Sequence, residues 1–549
     1  MLAARTPPVL RTIPFLIAVC LFSIPAQAKY SGGSGTAQDP YQIATSADLI
    51  ALGETPADYD KHFVLTANID LDPSLPGRKV FDEAVIAQAV SVETGGDFQG
   101  TSFTGVFDGK GHTISHLTIK GGGYLGLFGY IDMGSAGAEV KNLGVVDVNL
   151  TGSGDCVAGL VGYNCRGTVT QCYSTGAVSG GSYVGGLVGN NEQGTVTQCY
   201  STGAVNGSGD LVGGLVGSQG NGCVTQCYCT GAVRGHFGVG GLMGLCAGTV
   251  TYCYSTGAVT GSQFVGGLAG YRGAGFVTQY YHIGAVIGSR RVDGLIPEQT
   301  GGLVGVSSLT SCFSFWDTQT SGQTTRDDGT GKTTAEMHDI RTYLDAGWQF
   351  VGELKNGTCQ VWQMPEGGGC PVLAVFHGYT APQLQGAGTA EHPYLISNAM
   401  ELGAMAYYSP RAHYRLTASI DLSGIRWGTA VIPWFGGSFD GNGHTISHLT
   451  IYGEGCLGLF GWLGSGAEVR DLGGAGIDVA GSGNVGGLAG GNEGALTQCH
   501  STGAVSGKDL VGGLVGHNPG QSDAMLQHRC REQRLGGPRA AGGRRAGGA

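Results

Sequence analysis

The stretch that decides the fold is VAGLVGYNCRGTVTQCYSTGAVSG at residues 157–180, which returns as VGGLVGNNEQGTVTQCYSTGAVNG at residues 184–207. Further copies follow at residues 212–235, 239–261 and 265–288. Equivalent leucines in these copies are separated by 27, 28, 27 and 26 residues: Leu160, Leu187, Leu215, Leu242 and Leu268. Self-similarity at a fixed period indicates a solenoid, because one repeat cannot bury its apolar face without stacking on its neighbours.

Each copy predicts one coil of that solenoid. It contains three short runs rich in β-forming residues, GLVG, GTVTQCYS and TGAVSG, with no helical periodicity between them. Three such runs, at roughly 3.3 Å per residue, close one coil, and the next coil lies about 4.8 Å away. Parallel crossover connections favour right-handed winding. The sequence therefore predicts an all-β fold, a right-handed parallel β-helix with coils of about 27 residues.

The repeated motif carries a family resemblance. The GG-L-[VAM]-G run followed by Cys-Tyr-Ser-Thr-Gly-Ala-Val resembles the GLUG repeat of bacterial secreted and surface proteins. The clear copies span residues 157–288, with outliers at 301–305 and 485–516. GLUG repeats occur beside adhesin modules and in the non-catalytic parts of some immunoglobulin-A-cleaving metallopeptidases. The resemblance implies an architecture and a location outside the cell, with adhesion as an associated role.

A second layer of duplication surrounds the repeats. The segment GSGTAQDPYQIATSADLIAL at residues 33–52 returns as GAGTAEHPYLISNAMELGAM at residues 386–405. The segment FDGKGHTISHLTI at residues 107–119 returns as FDGNGHTISHLTI at residues 439–451. Both blocks resemble the entry region that precedes GLUG repeats in the same family. We therefore expect two modules, each with an N-terminal cap and a β-helix.

Each cap is expected to contain one short helix. Thr45 and Asn398 occupy equivalent positions and can N-cap a helix whose third residue is Asp48 or Glu401. Such a helix suits the open end of a solenoid, because the terminal coil otherwise exposes an apolar face and strand edges.

The repeats and the duplication divide the chain into seven segments. In order, these are a signal peptide (1–28), the cap of module 1 (29–120), its β-helix (121–313), a connecting segment (314–382), the cap of module 2 (383–452), its β-helix (453–520) and a tail (521–549). The connecting segment departs from the repeat and resembles the segment that closes the first array in related proteins. One helix and a hairpin are expected there.

Both ends of the chain depart from the repeat. Arg5 and Arg11 precede an apolar run at residues 13–24 and an Ala-Gln-Ala cleavage pattern, which together indicate a secretory signal.

The tail has the sequence Ala-Met-Leu-Gln-His-Arg-Cys at residues 524–530. Codons for the repeat motif give that same peptide when they are read two nucleotides later. We expect a frame-shifted repeat after about Gly520, and a mature protein that is secreted or displayed on the cell surface.

The charge of the chain restricts its partners. Residues 29–520 carry 21 Lys and Arg against 38 Asp and Glu, a net charge of −17. Nucleic-acid binding needs a basic stripe, so a nucleic-acid partner is not expected. No apolar run in the mature chain is long enough to span a membrane. A glycan or an extracellular protein remains open as the ligand.

The sixteen cysteines would ordinarily predict a disulfide framework in a secreted chain. Four of them recur at one position of successive coils and predict a ladder of buried thiols: Cys172, Cys199, Cys227 and Cys253. Val169 and Cys172 have opposite strand parity, so a corner or bulge is needed near Thr170–Gln171 if both face inward. Cys359 and Cys370 flank a Gly-rich turn and are the predicted disulfide.

Tyrosines and aspartates recur at fixed positions as well. The tyrosines could stack on the sugar rings of a glycan, or on one another as a packing ladder. They are Tyr173, Tyr200, Tyr228, Tyr254 and Tyr281. Asp70 with Asp72, and the recurring Asp155 and Asp210, suit either Ca²⁺ or solvated turns. Ca²⁺ is the only cofactor left open, and no metal ligand set is predicted.

No catalytic residue is predicted. The HExxH, GxSxG, P-loop and dinucleotide-binding motifs are absent. The FDGxGHTI motif repeats Asp108 with His112 and Asp440 with His444, which could act as acid and base. Their recurrence in two equivalent caps favours a turn-forming role instead.

The sequence thus predicts a non-enzymatic adhesive or structural scaffold. One alternative is a polysaccharide lyase or glycoside hydrolase, since such enzymes also use β-helices. That alternative needs carboxylates clustered on adjacent coils, whereas residues 157–288 present mainly Gly, Thr, Ser, Val and Tyr. The other alternative is a truncated fragment of a larger surface protein.

Overall fold

The fold is described from a computed structural model. The structure describes residues 29–89, 98–134, 137–273, 276–288, 300–307, 313–324 and 329–519. The predicted signal peptide and the predicted frame-shifted tail lie outside the described residues. Within them the chain is a parallel β-solenoid with coils of about 27 residues and few helices, so the predicted β-helix is confirmed.

Module 1 stacks its described strands into three sheets. Sheet 1 consists of Val157–Ala158, Val184–Gly185, Asp210–Gly213, Phe237–Gly240, Gln263–Gly266 and Thr300–Gly301. Sheet 2 consists of Phe128–Ile131, Val161–Asn164, Val188–Asn191, Val216–Gln219, Met243–Cys246, Ala269–Arg272 and Val304–Ser307.

Sheet 3 of module 1 is the longest and continues around a corner of each coil. Its first column consists of Tyr41–Ile43, His62–Leu65, Val106–Asp108, Glu139–Lys141, Thr168–Thr170, Thr195–Thr197, Cys223–Thr225, Thr249–Ser255 and Val277–His282. Beyond the corner lie Ile69–Asp70, Thr113–Ser115, Thr118–Gly121, Gly144–Gly152, Tyr173–Gly180, Tyr200–Ser201, Ala204–Gly207, Tyr228–Cys229, Val233–Arg234, Val259–Gly261, Val286–Gly288, Phe315–Asp317 and Thr330–Lys332.

Module 2 repeats this plan on fewer coils, and its pairings are parallel as well. Its counterpart of the first column consists of Tyr394–Ile396, His413–Leu416, Ser438–Asp440, Glu468–Arg470 and Ala495–Thr497. Beyond the corner lie Ile420–Asp421, Arg426–Trp427, Thr445–Ser447, Thr450–Gly453, Gly473–Gly481 and His500–Gly507. The other two sheets consist of Ile432–Phe435, Phe460–Leu463, Ala489–Asn492 and Val515–His517, and of Val485–Gly486 and Val511–Gly512.

The helices are short and lie at the module ends. Helix α1 (Ser46–Gly53) caps module 1 and α5 (Ala399–Ala404) caps module 2. The connecting segment contains α2 (Thr318–Ser321), α3 (Thr334–Met337) and α4 (Ile340–Leu344). Single 3₁₀ turns lie at Pro56–Asp58, Ala374–Phe376 and Met405–Tyr407.

The two cap helices confirm the predicted N-caps. The Thr45 hydroxyl accepts a hydrogen bond from the Asp48 backbone N–H at 3.1 Å, and the Asp48 carboxylate accepts from the Thr45 N–H at 3.0 Å. The Asn398 side chain accepts from the Glu401 N–H at 3.0 Å. Leu49 is fully buried in the core of module 1, so helix α1 closes the apolar end of the solenoid.

The corner predicted near Thr170–Gln171 is confirmed and lies at Gln171. Val169 and Cys172 are both buried, and Gln171 between them has φ of 53°, in the left-handed region. The same conformation recurs on the following coils at Gln198 and Gln226. An L-residue in this conformation is strained, and side-chain hydrogen bonds along the stack offset the strain: the Gln171 amide donates to Gln198 Oε1 at 3.0 Å.

The connecting segment is more helical than predicted. The segment contains three short helices where one was expected. Each helix has its own N-cap, and the side chains that provide these caps are Asp317, Thr333 and Asp339. The expected hairpin is present as the antiparallel pair Trp362–Gln363 and Val372–Leu373.

The two modules lie side by side. The Gln226 amide donates to the backbone carbonyl of Ala406 at 2.7 Å, and the Gln198 amide donates to that of Tyr407 at 3.2 Å. The same glutamines that hold the corner of module 1 therefore also hold the cap of module 2.

Candidate functional site

The tyrosine row is a packing ladder. Adjacent rings are nearly parallel, with centroids 4.8 Å apart for Tyr173 and Tyr200 and 5.1 Å apart for Tyr254 and Tyr281. That spacing equals the distance between coils, so each inner ring has both faces covered by its neighbours. The geometry favours the packing ladder over the other alternative, stacking on the sugar rings of a glycan, because no sugar can enter between the rings.

The connecting segment covers the edges of the same ladder. Phe376 meets Tyr200 and Tyr228 edge-on, at centroid distances of 5.5 and 5.1 Å. Trp362 lies 6.1 Å from Tyr281, and the Tyr281 hydroxyl donates to the Pro371 carbonyl at 2.6 Å. The ladder is thus the surface onto which the connecting segment folds, and sequence spacing gave no indication of that contact.

The predicted cysteine ladder is confirmed. Its four members are buried free thiols: Cys172, Cys199, Cys227 and Cys253. Each sulfur contacts the backbone carbonyl two residues before it in the chain, for example Cys199 Sγ to Thr197 O at 3.1 Å. Burial raises the pKa of the Cys172, Cys199 and Cys227 thiols well above its usual value. These groups are apolar filling of the core and are not nucleophiles.

The predicted disulfide between Cys359 and Cys370 is not formed; both residues are free thiols. The two side chains have different surroundings. The Cys359 sulfur is buried and faces the Val431 carbonyl of module 2 at 3.8 Å, whereas the Cys370 thiol interacts with Tyr343. The Gly-rich turn brings the two backbone segments near each other but directs the thiols to separate contacts.

The repeated Asp and His of the caps form turns and are not a catalytic pair. Asp108 Oδ1 accepts from the Lys110 N–H and the Asn142 amide, both at 2.9 Å, and these bonds lower its carboxyl pKa against the effect of burial. His112 contacts Asn68 instead, at 3.1 Å. Asp440 binds Arg470 at 2.9 Å. The preferred turn-forming interpretation of this motif therefore agrees with the geometry.

A different His–Asp pair does recur in both caps. His116 Nδ1 lies 2.9 Å from Asp70 Oδ1, and His448 Nδ1 lies 2.8 Å from Asp421 Oδ1. The hydrogen bond to Asp70 raises the pKa of His116 and lowers that of Asp70. All four side chains are well exposed to solvent, so the pair is a surface ion pair of small energy.

The aspartates proposed as Ca²⁺ ligands also serve turns. Asp70 and Asp72 each accept a backbone N–H two residues ahead, at 2.9 Å. Asp155 accepts the Ser182 N–H of the next coil at 2.8 Å. Within the described residues, no group of three or more His, Cys, Asp or Glu side chains is placed to hold a metal ion.

A cavity with a volume of about 590 Å³ lies between the two modules. Its module 1 wall consists of corner residues from successive coils. Four of them stand two positions before a strand of sheet 3: Arg166, Gln193, Asn221 and Ala247. Met133 and Phe276 extend the wall by one coil at each end. Six coils at about 4.8 Å spacing give a groove roughly 24 Å long.

The module 2 wall is aromatic. Trp434 and Trp462 occupy paired positions on neighbouring strands. A Cβ on Gly464 would lie 2.7 Å from the Trp434 ring, and one on Gly491 would lie 2.2 Å from the Trp462 ring. These two glycines therefore leave the space in which the indoles lie flat. Trp434 is buried and Trp462 is partly exposed to the groove.

Arg411 joins the two walls. It donates to the Gln193 carbonyl at 2.7 Å and to the Thr195 hydroxyl at 3.2 Å in module 1. Its guanidinium lies over the Trp434 ring of module 2, 5.2 Å from the centroid. Burial lowers the pKa of Arg411, and the positive charge of Arg166 acts in the same direction. An arginine remains charged under these conditions, so the groove holds two nearby cations.

The groove was not predicted from the sequence. The residues of its module 1 wall recur with the period of the coils, but nothing in the sequence relates them to the module 2 residues that face them. In module 2 the sequence signal is the pair of tryptophans 28 residues apart, Trp434 and Trp462. No helix in the described part of the chain has the length and apolar character needed to cross a membrane.

Comparison with known proteins identifies the repeat. The model of the GLUG motif matches residues 180–206, so the chain carries GLUG repeats. A stretch of 149 residues is 38% identical to halomucin from Haloquadratum walsbyi, which corresponds to 24% of this chain and 2% of that protein. The chain thus matches only a small fraction of this relative's length.

Among solved structures, one similar chain is a "putative immunoglobulin A1 protease" from Bacteroides ovatus. The match covers 63% of this chain and 95% of that chain, with 17% sequence identity and a TM-score of 0.39.

Proposed function

We propose that the protein is an extracellular, non-catalytic scaffold that adheres to a glycan or to a matrix protein. The observation that carries the proposal is the locking of two GLUG-repeat solenoids into one body by non-repeating contacts. The connecting segment packs on the tyrosine ladder through Phe376, and Arg411 joins module 2 to module 1. A body that is fixed in this way presents a rigid surface to a ligand, which is what an adhesive scaffold requires.

The side-chain chemistry supports a scaffold over an enzyme. The repeated Asp108 serves a turn, and the His–Asp pairs are exposed and lie in separate caps. A polysaccharide lyase or hydrolase needs convergent carboxylates beside a substrate cleft. Glu493 is the acidic side chain among the described residues that line the groove. A single carboxylate does not provide the pair that such an enzyme needs.

The experiment is binding of the purified protein to glycan and extracellular-matrix arrays, with Ca²⁺ or with EDTA, while new reducing ends are measured in the same wells. Retention without new reducing ends is the expected result. Release of sugar fragments would overturn the non-catalytic assignment, and absence of retention on every surface would overturn the adhesive one. Loss of retention in EDTA would assign a Ca²⁺-dependent contact.

A further inference from the structure

The cleft between the modules has the shape of a site for a chain-like ligand. Its module 1 wall runs along six coils, roughly 24 Å, and each coil contributes a side chain from an equivalent or adjoining position. Clefts of this volume at the junction of two modules are common ligand sites. A groove that continues over several coils fits an extended polymer better than a compact small molecule.

Arg411 is a cation of the groove that has no carboxylate partner among the described ion pairs. Arg411 has hydrogen bonds to a carbonyl and a hydroxyl and a contact with an indole, and no described ion pair includes it. Arg166 is paired with Asp132 at 3.0 Å but remains about half exposed and lines the same groove. Charge-assisted hydrogen bonds from a guanidinium to a carboxylate are among the strongest polar contacts, so these cations favour an acidic ligand.

The opposite wall offers an aromatic face. Trp462 is held flat over Gly491 and lies 6.1 Å from the ring of His517. Indole rings present a large apolar face together with one polar N–H, which suits the apolar face of a pyranose ring. Amide side chains from both modules also line the cavity, namely Asn221 and Asn484, and can bond sugar hydroxyls.

A peptide strand is a poorer occupant. The strand Phe460–Leu463, which carries Trp462, is paired on both sides, with Ile432–Phe435 and with Ala489–Asn492. The module 1 wall consists of corner residues and not of a free strand edge. A peptide would therefore find no strand edge for main-chain hydrogen bonding at the strand of Trp462 or along the module 1 wall.

We propose that the groove between the modules binds a carboxylate-bearing polysaccharide, with Arg411 and Arg166 facing the carboxylates and Trp462 stacking on a sugar ring. The inference rests on the proposed adhesive function and assigns it a site. Glu493 at the groove restricts where a carboxylate can lie, because like charges at close range repel.

The test uses the whole protein and two probes with the same backbone, polygalacturonate and its fully methyl-esterified form. We expect polygalacturonate to bind and the neutral ester to bind at least about tenfold more weakly, since a charged hydrogen bond is lost. Arg166→Gln and Trp462→Ala should each weaken binding of polygalacturonate about tenfold. The matched controls, Arg341→Gln and Tyr452→Ala, change exposed residues outside the groove and should leave binding unchanged.

Three outcomes would overturn the inference. If polygalacturonate and its methyl ester bind equally tightly, the carboxylates of the ligand do not contribute to binding. Equal affinity of the groove variants and the controls would place glycan binding elsewhere, and the adhesive function would stand without this site. Binding of polyglutamate that is as tight as that of polygalacturonate, and lost in the same variants, would assign the groove to acidic polypeptides. Thermal unfolding of each variant identifies any loss of binding caused by misfolding.

Discussion

The ring of Phe376 meets the ring of Tyr228 edge-on, with centroids 5.1 Å apart and an angle of 82° between the planes. The contact joins a non-repeating residue of the connecting segment to the most regular feature of the repeat. The tyrosine ladder therefore has two roles. It stacks the coils of module 1, and it provides the flat surface on which the connecting segment and, next to it, module 2 are placed.

Removal of the Phe376 ring should weaken this attachment. Phe376→Ala deletes two edge-to-face contacts, with Tyr200 and Tyr228, and we expect it to lower the free energy of unfolding by about 2 kcal/mol. Phe376→Leu keeps apolar volume and should cost about half as much. Urea unfolding checks both values, and an unchanged midpoint in Phe376→Ala would show that the contact contributes nothing.

The hydroxyl of Tyr281 should contribute separately from its ring. Tyr281→Phe keeps the ladder but leaves the buried Pro371 carbonyl without its 2.6 Å hydrogen bond, so stability should fall by about 1–2 kcal/mol. Tyr173→Phe is the matched control, because this ring lies at the partly exposed start of the ladder. Equal unfolding midpoints for the two variants would contradict the assigned bond.

The buried thiols should resist labelling in the native protein. The ladder cysteines Cys172, Cys199 and Cys227 are inaccessible, and their raised pKa values keep them protonated at pH 8. After brief treatment with iodoacetamide, mass spectrometry of peptides should find Cys165, which is partly exposed, modified and the ladder unmodified. In urea all of them should react. Equal labelling of Cys165 and the ladder in native buffer would show that the coils open.

Cys359 and Cys370 should both be present as thiols. Burial raises their pKa values to about 12 and about 11, and their sulfurs have different contacts. Non-reducing digestion with blocked thiols should therefore yield the two peptides separately. Recovery of a cross-linked 359–370 peptide would contradict the structure and restore the disulfide that the sequence predicts.

A buried histidine should make stability fall in mild acid. Burial lowers the pKa of His282 to about 4, below the ordinary 6.5, and its two ring nitrogens contact the Ser255 hydroxyl and the Gly284 carbonyl, both at 2.8 Å. Between pH 6.5 and 4 the unfolded chain takes up a proton that the folded chain does not. The free energy of unfolding should therefore decrease as pH falls through this range, by about 3 kcal/mol at most.

His282→Ser is the variant that isolates this effect. Earlier coils carry serine at the equivalent position, for example Ser255, so the substitution is compatible with the fold. The variant should be less stable at neutral pH but should lose little further stability between pH 6.5 and 4. Urea unfolding at several pH values checks this, and parallel pH curves for the two proteins would exclude His282 as the cause.

The local regularities were readable because they repeat. Val169 and Cys172 recur at a fixed period, so the sequence alone indicated a coil, an inward thiol ladder and a corner between them. The corner lies at Gln171, with φ of 53°. Thr45 and Asn398 also predicted the helix starts correctly. Helix capping depends on residues only three positions apart, so it can be recognised in the sequence without knowledge of the tertiary structure.

What the tertiary structure alone decided is how the non-repeating parts pack on this frame. Gln198 and Tyr407 are 209 residues apart in the chain and bond each other, and no period relates them. The free thiols at Cys359 and Cys370, the cover on the tyrosine ladder and the groove at Trp462 all depend on that docking. Repetition determines the stacking of coils through contacts between near-identical neighbours. The position of one module against the other depends on unique side-chain contacts, which only the folded chain brings together.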